Sequence, residues 1–267
     1  MLLFDSHCHF DFEVFNDDRE LLWHACNQRG IRYLIIPGVA PNQWRTAADV
    51  AAAHSNMYIG IGLHPWWVEK SMSSERVENY LTTIKKELRD NLSLQGCVAI
   101  GECGLDALIK TPMHLQQQVL DIHLQLAQEI SLPLIIHCRK AHNELFAQLC
   151  KYTLPAGGVI HAFSGSYELA SRYWSMGFRL GVGGTITYER ANKTRDAVKQ
   201  LPLESILLET DAPDMPLHGK QGKRNSPENI FDIAKTLALL RNEPIEKIAA
   251  QTTLNSQTLF KIKSINV

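Results

Sequence analysis

Short apolar runs rich in β-branched residues alternate along this chain with stretches whose apolar positions recur at helical spacing. The runs are LLF (2–4), YLIIP (33–37), YIGIGL (58–63), VAIG (98–101), PLIIH (133–137), GVIHA (158–162), FRLGVG (178–183) and ILLET (206–210). Their length and β-branching predict eight strands. A helix is predicted after each. The clearest spans 113–130, where Leu115, Val119, Ile122, Leu126 and Ile130 form one apolar stripe. Others fall near 17–29, 41–53, 74–90, 141–151, 167–176, 190–200 and 227–241. No Pro/Gly-rich linker, low-complexity segment or internal repeat divides the chain, so residues 1–267 read as a single domain.

Eight strand-then-helix units in about 240 residues match an α/β fold of the (β/α)8 TIM-barrel type, with the remaining C-terminal residues forming one or two extra helices. A doubly wound open sheet is the rival. The two differ in where polar residues fall, because a barrel gathers the C-terminal ends of all its strands around one mouth.

Those ends carry chemistry. In FDSHCHFDF (4–12), His7 and His9 are two apart and so share a face of an extended chain. Strand 3 then ends in His64 (GLHP), strand 4 in Glu102 (GECGLD), strand 5 in His137 (IIHC), strand 6 in His161 (VIHAF) and strand 8 in Asp211 (ETDAP). A single histidine after a strand is commonly a hydrogen-bonded loop residue. Six strands delivering a histidine or carboxylate at one relative position is a pattern. Even four histidines with two carboxylates exceed what one tetrahedral zinc uses, so the count suits two metals, with Glu102 the carboxylate to bridge them. Cys8, Cys103 and Cys138 each adjoin one of these residues and should face outward as packing residues.

Composition narrows the class. Hydrophobic and charged fractions are ordinary, no apolar run approaches the roughly 18 residues of a membrane span, and no signal peptide is evident. Six scattered cysteines without a C-x-x-C pair read as reduced thiols, and a cytoplasmic enzyme without a membrane is the expectation. A net charge of -1 provides no global attraction to nucleic acid, so any such binding must come from a local patch.

In order along nearly the whole chain, DSHCHFD, GLHP, GECGLD, IIHCR, HAFSGS, GVGGTIT, LLETDAP and RNSPEN resemble the TatD family of metal-dependent hydrolases, within the wider amidohydrolase-like barrels. The resemblance implies two divalent metal ions (zinc, magnesium or manganese). His7, His9, Glu102 and Asp211 would hold one cation, and Glu102, His137 and His161 the other. It also implies a nuclease with DNA as its nucleic-acid substrate. Two stretches depart from the common pattern, ALIKT after GLD and DMPL after TDAP. With the ligands intact, these bear on substrate preference.

Asp211 is the candidate general base, since a metal-bound carboxylate can accept a proton from attacking water. His64 has no ligand role. It is a candidate to orient the scissile phosphate or protonate the leaving oxygen, beside the plainer role of a neutral histidine braced by Pro65. Basic residues cluster after strands 5, 7 and 8: Arg139 and Lys140; Arg190, Lys193 and Arg195; Lys220, Lys223 and Arg224. Arg139, Arg195 and Arg224 are the candidate phosphate contacts, with Gly183, Gly184 and Thr185 and the FSGS helix start offering backbone donors. Three readings follow: a phosphodiesterase on DNA; a two-metal hydrolase of a carboxylic ester, aminoacyl-tRNA linkage or amide; and a metal-stabilised binding protein. A spare histidine speaks against the last.

Overall fold

The computed structural model describes residues 1–69 and 74–263. Eight strands form one sheet in sequential order: β1 (Leu3–Asp5), β2 (Ile31–Ile36), β3 (Met57–Ile61), β4 (Cys97–Asp106), β5 (Leu134–Arg139), β6 (Gly158–Ile160), β7 (Phe178–Val182) and β8 (Ile206–Leu208). Every neighbouring pair from β1–β2 to β7–β8 is parallel. Just beyond the two ends, Ser6 N–H donates to Leu208 O (3.0 Å) and Asp211 N–H to His7 O (2.9 Å), which closes the sheet into a (β/α)8 barrel. A doubly wound sheet would reverse its strand order midway; this one does not.

Helices follow each strand: α1 (Arg19–Gln28), α2 (Pro41–Ala52), α3 (Ser74–Asn91), α4 (Met113–Ile130), α5 (His142–Leu149), α6 (Tyr167–Ser175), α7 (Asn192–Gln200) and α8 (Ile230–Arg241). One extra helix, α9 (Ile245–Leu259), completes the described chain. On α4 the stripe Leu115, Val119, Ile122 and Leu126 is buried as predicted, but Ile130 is exposed. It is the last helical residue before Ser131 turns left-handed and leads the chain away to β5.

The core has two layers. Apolar side chains between strands and helices form the larger one, and Cys8 and Cys103 are buried there with Cys138 packed against it. Inside the barrel a smaller cluster joins Phe4, Tyr33, Ile35, Ala99, Ile135, Val159 and Leu207 to Leu259, Phe260 and Ile262. The end of α9 thus plugs the N-terminal opening, and Asn255 pins the helix there by donating to Leu203 O and Ile206 O, both at 2.8 Å. With one end filled, only the mouth at the strands' C-terminal ends is left for chemistry. No helix among the described residues is long and apolar enough to cross a membrane.

Candidate metal centre

Past Asp5 the chain no longer pairs regularly, yet it is held on both sides. Cys8 N–H donates to Ile35 O (3.0 Å) and His9 N–H to Ala212 O (2.8 Å), so His7 and His9 hang between β2 and β8. The buried Asp5 carboxylate reinforces this edge by accepting from Thr210 N–H (2.9 Å), the Thr210 hydroxyl and His7 N–H (3.3 Å).

Glu102 is aimed by a bulge. Strict alternation from the inward Ala99 would send residue 103 inward as well. Instead the β4–β5 register shifts between Ile100 and Cys103. Glu102 N–H donates to Gly38 O (2.8 Å), and Cys103 lies in the outer layer. The extra residue turns Glu102 to the barrel axis. Only glycine fits at position 62 opposite this bulge, because a Cβ there would lie 2.5 Å from Gly101 Cα.

The two oxygens of Glu102 face different partners. Oε1 lies 2.8 Å from His161 Nε2, 3.2 Å from His137 Nδ1 and 3.3 Å from His64 Nε2. Oε2 lies 3.2 Å from His7 Nε2 and 3.8 Å from His9 Nε2. Asp211 Oδ1 completes the second set, 3.5 Å from both His7 Nε2 and His9 Nε2. Asp211 itself takes a left-handed backbone (φ 57°), held by its N–H to His7 O. Such backbone strain in a non-glycine residue gathers at functional sites.

Donor atoms in three groups, His7/His9/Asp211, His7/Glu102/His161 and His64/Glu102/His137, lie within 4.8 Å of one another. Nε2 of His7, His9 and His161 and Nδ1 of His137 converge on the carboxylates of Glu102 and Asp211. Imidazole beside carboxylate is a donor set divalent cations accept. The residues therefore fit metal. Burial works to raise the Asp211 carboxyl, but His9, His161 and His7 outweigh it and hold the group below its usual range.

His64 differs chemically from the others. Its Nδ1 accepts the Trp66 backbone N–H (3.1 Å), which leaves the proton of the neutral ring on Nε2. Burial keeps the ring from protonating further. A protonated Nε2 is a donor and not a ligand.

Of the basic candidates, none is held by the carboxylates at the centre. Arg139 ends β5, exposed, with no hydrogen bond or ion pair to its side chain among the described residues. Arg195 donates to Ile186 O (2.6 Å). Arg224 pairs with Asp18 and lies over the Phe15 ring, 4.7 Å from its centroid. Arg195 ties α7 to the turn after β7, and Arg224 ties the segment after β8 to the one after β1.

Three supporting residues went unassigned in the sequence. Asp106 Oδ2 lies 3.4 Å from His137 Nε2, which directs Nδ1 of that ring at the centre. Glu209 Oε1 lies 3.7 Å from His161 Nδ1 and accepts Ala162 N–H. Carboxylates behind ligating imidazoles orient the ring and raise its basicity. Glu209 was findable, being two before Asp211 and so on the same face; Asp106 sits inside the GECGLD motif. His123, in mid-α4, gave no such signal. Its Nε2 accepts Leu63 N–H (3.0 Å) and its Nδ1 donates to Val119 O (2.7 Å), which fixes the backbone next to His64.

Fold and donor set together define the class: a (β/α)8 barrel with a candidate metal-binding cluster of histidines and carboxylates at its mouth. Residues 4–261 match the family described as TatD related DNase, and the chain belongs to the TatD family of metal-dependent hydrolases. The uncharacterised metal-dependent hydrolase YjjV of Escherichia coli (strain K12) is 41% identical over 261 residues, 97% of each chain. The crystal structure of that TatD homologue matches with a TM-score of 0.87 at 40% identity, covering 98% of both chains. The 3'-5' ssDNA/RNA exonuclease TatD of Pantoea sp. (strain At-9b) is 32% identical, over 97% of this chain and 100% of its own.

Proposed function

We propose that the protein is a two-metal phosphodiesterase that hydrolyses nucleic acid, DNA above all. The observation that carries this is Glu102, whose two oxygens face two separate imidazole sets. His7, His9, Asp211 and Glu102 Oε2 would hold one divalent cation; His137, His161 and Glu102 Oε1 would hold the other. When bound, such a pair acidifies a water and polarises the phosphoester.

The remaining steps belong to the chain. Asp211 takes the proton of the attacking water, because its side chain is 15% accessible where that of Glu102 is 3%. His64, neutral with its proton on Nε2, donates a hydrogen bond to a phosphate oxygen or to the leaving oxygen, which takes its proton from water. Asp106 and Glu209 keep the imidazoles of His137 and His161 in register. Arg139, exposed at the end of β5, is a cation for the polymer's phosphates. The name of the Pantoea relative supports a single-stranded substrate, and six free cysteines support the reducing cytoplasm as the place of action.

The test is metal-free protein reloaded with magnesium, manganese or zinc and offered end-labelled DNA, RNA, simple phosphodiesters and carboxylic esters. Metal-dependent cleavage of the polymers supports the reading. Cleavage of the carboxylic esters alone overturns it in favour of a two-metal carboxylesterase.

A further inference from the structure

Large exposed apolar side chains collect at the mouth of this barrel. Trp66 (52% exposed) and Trp67 (57%) follow β3, Leu108 (58%) follows β4, and Met215 (40%) follows β8. Indoles are ordinarily among the best-buried side chains, so half-exposed ones beside a reaction centre call for an occupant.

Trp66 is distinguished from its neighbour by being oriented. Its indole N–H donates to Asp106 Oδ2 at 2.9 Å, the same oxygen that faces His137 Nε2. Its ring meets His64 edge-on, with centroids 5.5 Å apart at 82°. Its backbone N–H is the donor that sets the His64 tautomer. Two contacts with site residues hold the ring and a third holds its backbone, and about half of the residue's surface is left bare. Trp67 has no hydrogen bond to its indole among the described residues, so nothing of this kind sets its direction.

Two exposed cations on the neighbouring chain segments lack a side-chain partner among the described residues. Arg139 is the ladder partner of Asp106, and Ala107 N–H donates to Arg139 O (2.9 Å). Lys110, in the loop after β4, is exposed and also lacks a side-chain partner among the described residues. An apolar plane alone would suit an acyl chain as well as a base. A fixed aromatic plane flanked by free cations matches the two surfaces of a single-stranded polynucleotide, whose bases stack and whose phosphates are anionic.

We propose that Trp66 is the stacking platform for a nucleobase of a single-stranded substrate, set in place by Asp106 so that the adjoining phosphate falls towards His64 and the metal centre. The proposal rests on the nucleic-acid reading above and gives it a specificity residue. A duplex, with its bases stacked on one another, offers no free face to Trp66 and is the poorer substrate.

The experiment compares a single-stranded thymidine oligonucleotide with a chain of equal length and charge built from abasic units. KM and kcat are measured for the metal-loaded wild type, Trp66→Phe and Trp66→Ala, and binding is followed by anisotropy in a Glu102→Gln background. Stacking is worth about 1–3 kcal/mol per base, so the wild type should prefer the base-bearing chain by about fivefold to 150-fold, chiefly in KM. Trp66→Phe should keep most of that ratio and Trp66→Ala should bring it near one. Both variants lose the bond to Asp106, so this contrast isolates stacking. An unchanged ratio in Trp66→Ala, an equal loss in both variants, or a wild type indifferent to the bases would overturn the platform while leaving a nuclease. A wild type that cleaves neither chain, with neither bound by the Glu102→Gln protein, overturns the nucleic-acid reading, and the platform with it.

Discussion

Glu102 is buried in the barrel, and burial raises a carboxyl's proton affinity, yet His161, His64, His7 and His137 hold it well below its usual range. The surroundings therefore keep both oxygens ionised, as a bridging ligand requires. Glu102→Gln preserves shape and removes that charge. Turnover should fall by orders of magnitude and bound metal should drop below two ions per chain, with the circular dichroism unchanged; kinetics beside elemental analysis reads both. Near-normal turnover would end the bridge. Asp211→Asn separates chemistry from binding. It keeps size and loses basicity, so kcat should fall about 10²- to 10⁴-fold with KM little altered. A variant that only raised KM would show that Asp211 serves substrate affinity.

The eight strands, the convergence of the histidines and carboxylates from six strand ends, and the outward cysteines were legible because each follows from local periodicity. What was not legible arises between elements. β4 runs ten residues where VAIG predicted four, since the strand continues through a bulge whose bonds go to Gly38. His123 looks like any apolar-face residue of α4 until Leu63 N–H is seen to point at it. It also makes a measurable device. Burial pushes its pKa from 6.5 down to about 4. A lowered imidazole pKa means the unfolded chain binds the proton more readily, so its contribution to stability is fully present above about pH 6.5 and fades as pH falls towards 4. By pH 5 the loss is about 2 kcal/mol. Urea unfolding at pH 7 and pH 5 should show the wild type losing that much more than His123→Gln, which starts less stable. Equal losses in both proteins would remove His123 from the acid response.

At the scale of the whole molecule, a barrel plugged at one end by α9 has one face for a ligand, and with a net charge of -1 the chain would have to attract the proposed polyanion through that face alone. The three arginines named from the sequence are unequal there. Arg224 is committed to Asp18 and Phe15 and Arg195 to Ile186 O, whereas Arg139, the ladder partner of Asp106, has an exposed side chain with no partner among the described residues. A phosphate contact outside the metal shell strengthens ground state and transition state alike, so Arg139→Ala should raise KM for a single-stranded oligonucleotide several-fold and change kcat little. Because each such contact releases counterions, the slope of log affinity against log salt should become shallower by about 0.7. Arg224→Ala should leave that slope nearly as it is and lower the thermal midpoint instead, through the loss of its tie to the β1–α1 loop. Steady-state kinetics across a salt series on the two variants decides. A flattened slope in Arg224→Ala with none in Arg139→Ala would place the polymer's path over β8 and away from β4 and β5.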